Sequence, residues 1–478
     1  MMINRIIKPL LCASSLLALA ACSMAPHYER PDAPVALNET AQSEKMAADI
    51  GWRDFYRNQQ LQTLIEQALE NNRDLRVAAL TVEQVRAQYR IQRAQLLPTL
   101  NATGSGTRQR VSEAISETGE SYIAEQYAAG VGISAYELDL FGRVQSLKNA
   151  ALEQYLATDQ ARKSTQLSLV AEVADAYFTW VSNTELLSLT ENTLKARQDS
   201  YAMVKRRYDS GLASELDLSQ AATALHSARV DAALYQRQLA TSFTALEVLV
   251  GTSLDADNLQ TVWNDEVMLA DLPDAVTSEV LLQRPDILQA EYNLRSANAN
   301  IGAARAAFFP RISLTGSYGN ANPELDNLFD SGTRAWSFSP QITLPIFAWG
   351  ANAANLDVAR LQKDVNIAVY EKAIQTAFKE VRDSLQSQST LDAQLEAQQD
   401  LVTASARSFE LAELRYQRGV DSYLEVLDSQ RSLNTAQQAL ITMRLAKSRN
   451  QLTLYKALGG GLQEHTADQE TNQVSFIP

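Results

Sequence analysis

Apolar and polar residues alternate one by one along two parts of the chain. Trp336, Phe338, Ile342, Leu344 and Ile346 interleave with Ser337, Ser339, Gln341, Thr343 and Pro345, and Ile312, Leu314, Gly316 and Tyr318 repeat the pattern just upstream. A period of two sends alternate side chains to opposite faces of an extended strand, so each run predicts a strand with one apolar face. Leu100 to Thr107 and, more weakly, Ala129 to Leu140 offer a second pair, with a slip of phase between Ala135 and Tyr136. Two strand pairs are therefore expected, at 98–141 and 309–349. Loops of charged and small residues at 108–128 and 319–335 join the members of each pair.

The rest of the chain has a different rhythm. Neither glycine nor proline interrupts the 68 residues between Gly142 and Gly211, nor the 68 between Gly350 and Gly419; Gly211 to Gly251 and Gly419 to Gly459 each enclose 39. These stretches are rich in Ala, Leu, Gln, Glu, Lys and Arg, which favour helix. At ~1.5 Å per residue the longer ones make rods of about 100 Å, far beyond the helices of an ordinary compact domain.

The coincidence of lengths reflects an internal duplication. Residues 142–251 match 350–459 without gaps at an offset of 208, pairing Glu172 with Glu380, Asp175 with Asp383, Arg207-Tyr208 with Arg415-Tyr416 and Leu216 with Leu424. Upstream the offset is 212, pairing Asp74 with Asp286, Arg93-Ala94 with Arg305-Ala306 and Pro98 with Pro310. Each copy thus runs helix, strand pair, long helix, short helix. The expected segments are a helix at 61–97, strands at 98–141 and helices at 142–251. After a connection at 252–280, the order repeats as a helix at 281–308, strands at 309–349 and helices at 350–459. Residues 22–60 are expected to be an extended leash leading to the start of the helices, and 460–478 a polar, poorly ordered tail.

Composition narrows the setting. Residues 1–21 carry Arg5 and Lys8, then an apolar run, then Leu19-Ala20-Ala21 before Cys22. This order predicts an export signal, too short to span a membrane, whose end resembles the bacterial lipobox with Cys22 as the acylated first residue. The signal removes two basic groups from a chain with 42 basic and 56 acidic residues, which makes nucleic acid an unsuitable partner. Cys12 leaves with it, so no thiol remains for a disulfide or a nucleophile. His27, His226 and His465 lie in leash, helix and tail, and no P-loop, dinucleotide fingerprint or G-x-S-x-G occurs. No cofactor, metal site or enzyme activity is expected. A cell-wall hydrolase is the enzymatic alternative.

No later stretch reaches ~18 consecutive apolar residues, so any membrane crossing must use strands, and strands in lipid must close into a barrel. Four strands cannot close alone. Two copies supply ~8 and three supply ~12, and arithmetic does not choose between them. The helices, lacking a core of their own, must pack side by side into a larger cylinder. The alternative is a periplasmic coiled-coil scaffold lipoprotein.

Three segments go further: 284–319, beginning RPDILQAEYNLRSANANIGAARAAFFPRISLTGSYG; 344–385, beginning LPIFAWGANAANLDVARLQ; and RYQRGVDSYLEVLDSQRSLNTAQQAL at 415–440, with YKALGGG at 455–461. They resemble the TolC family of outer-membrane efflux proteins, in particular its lipoprotein branch of the OprM/AdeK type serving resistance-nodulation-division (RND) multidrug pumps. The resemblance implies a mixed all-α plus transmembrane β fold: a homotrimer with a 12-strand β-barrel continuous with an α-helical coiled-coil tunnel. It implies an exit duct in the outer membrane, anchored in its lipid, working with a periplasmic adaptor (membrane fusion protein) and an inner-membrane RND transporter. Drugs are the expected cargo; metal export and protein secretion are alternatives.

Gly211 and Gly419 end the ~100 Å helices, so the turns there are expected to ring the periplasmic mouth. Leu424 and Asp428, four residues apart, share a helix face beyond the second turn. Repeated three times, they would form an apolar constriction and an acidic ring; the plain alternative is coiled-coil packing and a solvated face. The family resemblance assigns the gate to Leu424, Glu425 and Asp428. It places contacts between neighbouring helices at Asp217 and Tyr416, with Arg431 pairing with a carboxylate.

Overall fold

The computed structural model of the chain describes residues 23–35, 49–259, 269–270, 272 and 281–466. In chain order it contains α1 (Trp52–Phe55), α2 (Gln59–Asn71), α3 (Arg73–Ala94), β1 (Leu100–Val111), β2 (Tyr122–Leu138), α4 (Arg143–Asp209), α5 (Glu215–Val250), α6 (Pro285–Ala306), β3 (Arg311–Asn322), β4 (Arg334–Thr343), α7 (Ala351–Gln417) and α8 (Tyr423–Ala457). The long helices α4 and α7 have 67 residues each, about 100 Å apiece. Among the described residues no helix is long and apolar enough to cross a membrane. The chain divides into two compact units, one of residues 1–32, 81–159 and 289–370 and one of the remainder.

The first unit holds the sheet, with antiparallel strands in the order β1-β2-β3-β4. Register follows the alternation. Leu100 lies opposite Ile133, Ile133 opposite Gly316 and Gly316 opposite Phe338; one step along, Ala102, Val131, Tyr318 and Trp336 form the next row. The rows between them read Asn101, Gly132, Ser317, Ser337 and Thr103, Gly130, Gly319, Ala335. One face is thus aliphatic and aromatic and the other small and polar. The large side chains of β4 are open to solvent, Trp336 at 76% and Ile342 at 68%. The slip of phase near Ala135 is a β-bulge: pairing shifts between Ile133 and Tyr136, and Ala135 takes φ +50°.

The strands run further than the periodicity predicts. The β1-β2 ladder reaches Val111 opposite Tyr122, so the loop is 112–121 rather than 108–128; β3 and β4 leave 323–333 rather than 319–335. Ser, Thr, Gln and Arg continue the ladder there because backbone pairing needs no apolar face. At the other end β4 stops at Thr343, leaving Leu344 to Trp349 outside the sheet, with Ile346 92% exposed and Trp349 at φ +49°.

Residues 23–30, expected as part of a leash, are bound along α6. Arg305 Nη1 donates to the Met24 carbonyl (3.2 Å), Asn298 Nδ2 to Pro26 (2.8 Å) and Tyr28 Oη to Glu291 (3.2 Å). Glu291, 2% exposed, also accepts from Arg30 (2.6 Å) and Arg295 (2.5 Å). Burial opposes its charge, but the two guanidinium groups outweigh that and hold its carboxyl below the ordinary value.

The second unit is built on a core from all of its segments. Trp52, Phe55 and Tyr56 pack with Tyr177, Phe178 and Trp180 of α4, Leu246 and Val250 of α5 and Tyr455 of α8, the Phe55 and Tyr455 rings stacked at 3.9 Å. Tyr56 pairs with Leu269, the Ala270 amide donates to Phe55, and the amides of Trp52 and Arg53 donate to Gln463 and Glu464. The start of the expected tail is therefore held against α1. Trp263, Pro273 and residues 467–478 lie outside the described residues.

The helix expected at 61–97 is two helices. Asn72, 6% exposed, ends α2 and caps α3: its Oδ1 accepts from the Leu75 amide (2.9 Å) while its Nδ2 donates to the Leu249 carbonyl (2.9 Å). An asparagine in both roles breaks a helix whose sequence otherwise continues.

Candidate functional site

Both long helices stop by one device. Gly211 and Gly419 adopt φ +73° with open space where a Cβ would lie, so glycine serves the backbone conformation and not a close contact. The Gly211 amide donates to Tyr208 (2.8 Å) and Leu212 to Arg207 (2.7 Å); Gly419 donates to Tyr416 (2.9 Å) and Val420 to Arg415 (2.9 Å). These paired bonds satisfy the last carbonyls of the helix.

The helices that follow restart differently. Ser214 caps α5 in a reciprocal box with Asp217: the Asp217 amide donates to Ser214 Oγ (3.1 Å), and the Ser214 amide and hydroxyl donate to Asp217 Oδ2 (3.0 and 2.8 Å). Ser422 starts α8 with no side-chain cap. There Arg415 grips Asp421 through both arms, Nε to Oδ2 at 2.6 Å and Nη2 to Oδ1 at 2.9 Å, and this fork holds the Asp421 carboxyl below its ordinary value.

The two turns meet at Tyr416. Arg207 Nη1 donates to its hydroxyl (2.8 Å) with the guanidinium 5.5 Å from the ring centre, and Tyr423 lies 5.5 Å from it on another side. Beneath them Val204, Ala221, Tyr423 and Val426 are buried, with Leu218, Phe409 and Leu427 packed around. Asp217 does not reach Tyr416 within the chain; its carboxylate is occupied by its own cap. Arg207 takes the tyrosine instead, a pairing whose only trace in the sequence is the Arg-Tyr dipeptide shared by both copies.

Leu424 is 54% exposed beside its counterpart Leu216, at 65%. Both line a 660 Å³ groove with Gln220, Asp428, Arg431 and Arg197. Asp428 and Arg431 form an ion pair one turn apart, exposed and so of small energetic weight. On its other side Asp428 lines a second concavity of 480 Å³ with Glu425, Asp421 and Arg415. Arg197 escaped the sequence reading: it is 8% exposed, its Nη1 has no hydrogen-bond partner, and burial lowers its pKa. Among the described residues no three His, Cys, Asp or Glu side chains come together as metal ligands. Cys22 lies outside the described residues, although its neighbour Ser23 sits 3.4 Å from Ser146, hydroxyl to hydroxyl.

The sequence pattern of the outer membrane efflux protein family matches residues 64–252 and 276–460, most of the chain. The chain belongs to that family. Among similar members, the toluene efflux pump outer membrane protein TtgC of Pseudomonas putida is 51% identical over 467 residues, 96% of either chain. Outer membrane protein OprJ of Pseudomonas aeruginosa is 44% identical over 96% of this chain and 97% of its own. Two solved outer-membrane channels share the fold. The open state of MtrE from Neisseria gonorrhoeae superposes with a TM-score of 0.84 at 41% identity, covering 94% of this chain and all of that one. CmeC of Campylobacter jejuni gives 0.85 at 27% identity, covering 94% and 97%. Family membership accounts for a helix-rich chain with one four-stranded sheet.

Proposed function

We propose that this chain is the outer-membrane exit duct of a tripartite efflux pump, passing small organic compounds outward without catalysing a reaction. The observation that carries the reading is the sheet: four strands, one face apolar, the other small and polar, and edge strands β1 and β4 without outer partners among the described residues. In lipid such edges must be paired, and three copies joined edge to edge give about twelve strands around a polar lumen. The helices then form the wall of a periplasmic tunnel, with a periplasmic adaptor and an inner-membrane RND transporter as partners. Relatives named for toluene and antibiotic efflux support organic cargo. Acylated Cys22 anchors the chain, in keeping with the binding of the following residues along α6.

The gate is placed at Leu424, Glu425 and Asp428, where the side chains are exposed and unburdened by the chain's own core, with Asp217, Tyr416 and Arg431 holding the helices around it. In a homotrimer each recurs three times, an apolar ring above an acidic one, and opening requires partners that bias the helices apart. The test is the conductance of the purified trimer in a planar bilayer. Leu424→Ala with Asp428→Ala should raise conductance several-fold while leaving trimer yield unchanged; unchanged conductance would move the constriction elsewhere. Mass spectrometry of native protein checks the lipid, an unmodified Cys22 being the adverse result.

A further inference from the structure

The duplication supplies an internal control for a second site. In the second copy the Arg284 side chain is 8% exposed and bridges three groups: Nε and Nη2 to Asp286 (3.0 and 2.8 Å), Nη2 to Glu380 (2.8 Å) and Nη1 to the Ala457 carbonyl (2.9 Å). In the first copy Asp74 and Glu172 occupy the places of Asp286 and Glu380, and Leu249 that of Ala457. The place of Arg284 falls to Asn72, whose amide reaches the Leu249 carbonyl at the same 2.9 Å. The carbonyl contact is kept, but an asparagine cannot supply charge or reach two carboxylates. A 290 Å³ pocket lies there, lined by Asn72, Asp74, Glu172 and Leu249 with the hydroxyl-bearing Ser164, Thr165 and Ser168. Asp74 and Glu172 make no ion pair with any described residue, whereas their counterparts share one guanidinium.

We propose that this pocket binds a guanidinium group from outside the chain, held between Asp74 and Glu172 as Arg284 is held between Asp286 and Glu380. The chemistry is set by the second copy: a planar cation with donors on several nitrogens satisfies two carboxylates at once, which a spherical ammonium does less well. The source is either a small guanidinium compound or an arginine of a partner protein. The inference does not rest on the duct reading.

The full-length protein in detergent is titrated at low salt with argininamide, with lysinamide and calcium chloride as controls. Saturable argininamide binding at least tenfold tighter than lysinamide is expected. Asp74→Asn with Glu172→Gln should abolish it. Asn72→Arg installs the residue that the second copy already carries, so it should fold, fill the pocket from within and abolish binding too. Absence of saturable binding, binding that survives Asn72→Arg, or a preference for calcium would overturn the proposal, and none of these bears on conductance. The source is then read from Asn72→Arg in the assembled pump. Loss of adaptor or transporter association assigns the guanidinium to a partner's arginine, and unchanged association assigns it to a small molecule.

Discussion

The two copies of the repeat share their backbone and differ in how side chains hold it. Both long helices end on a glycine at φ +73° with the same pair of hydrogen bonds, yet the first restart is closed by Ser214 and Asp217 and the second by the exposed Arg415–Asp421 fork. The junctions from strand to helix diverge as well. In the first copy Glu137 accepts from Arg143 twice (2.7 Å each) and from Arg311 (2.5 Å); in the second, Leu344 to Trp349 form an exposed apolar segment. The lesson is that a duplicated fold conserves what the backbone requires and leaves the side chains to specialise. A feature present in one copy and missing from the other points to something supplied from outside the chain.

The largest effect is expected at the sheet, where the contrast is between faces. Phe338→Asp with Ile342→Asp places charge on the apolar face, at a cost of roughly 2 to 4 kcal/mol per charge near a bilayer midplane, with acids at the lower end. Trimer yield in membranes should collapse, whereas Ser337→Asp, pointing to the other face, should assemble. Equal yields would remove the distinction between the faces. Next comes the polar staple of each copy. Arg284→Ala strips a buried guanidinium from two carboxylates and a carbonyl and should cost roughly 2 to 3 kcal/mol in thermal unfolding, against about 1 for Asn72→Ala. The reverse order would mean that the first copy's pocket, not the second's bridge, carries the greater stability.

A smaller and equal effect is expected at the turns. Gly211→Ala and Gly419→Ala meet no neighbouring atom, so each should cost only the strain of a left-handed alanine, about 1 kcal/mol. Unequal costs would show that the shared backbone device hides a difference in packing. The smallest effect concerns acid. The folded Asp421 carboxyl lies below its unfolded value, so the fork's contribution is fully present above the unfolded value and is lost as pH falls through the folded one. Amide exchange at 418–422, corrected for intrinsic rates, should therefore rise on acidification through the carboxylate range. No change there would make the fork irrelevant to the turn.

The sequence by itself determined what depends on local chain chemistry. Glycine spacing set the ends of the long helices because only glycine adopts the closing conformation without strain, and alternation set the strands because side-chain direction has a period of two. The duplication doubled the strength of each signal, and even the bulge at Ala135 left its mark as a slip of phase. Tertiary structure decided the rest. Asn72 breaks a helix because the Leu249 carbonyl, 177 residues away, draws its side chain. Glu291 looks like a solvated helix residue until Arg30 and Tyr28 are brought onto it from more than 260 residues earlier. Asp217 turns inward to its own cap, and Arg207 finds Tyr416 across 209 residues. A hydrogen bond is specified by where two groups meet in space, and no periodicity in one segment records which distant segment will supply the partner.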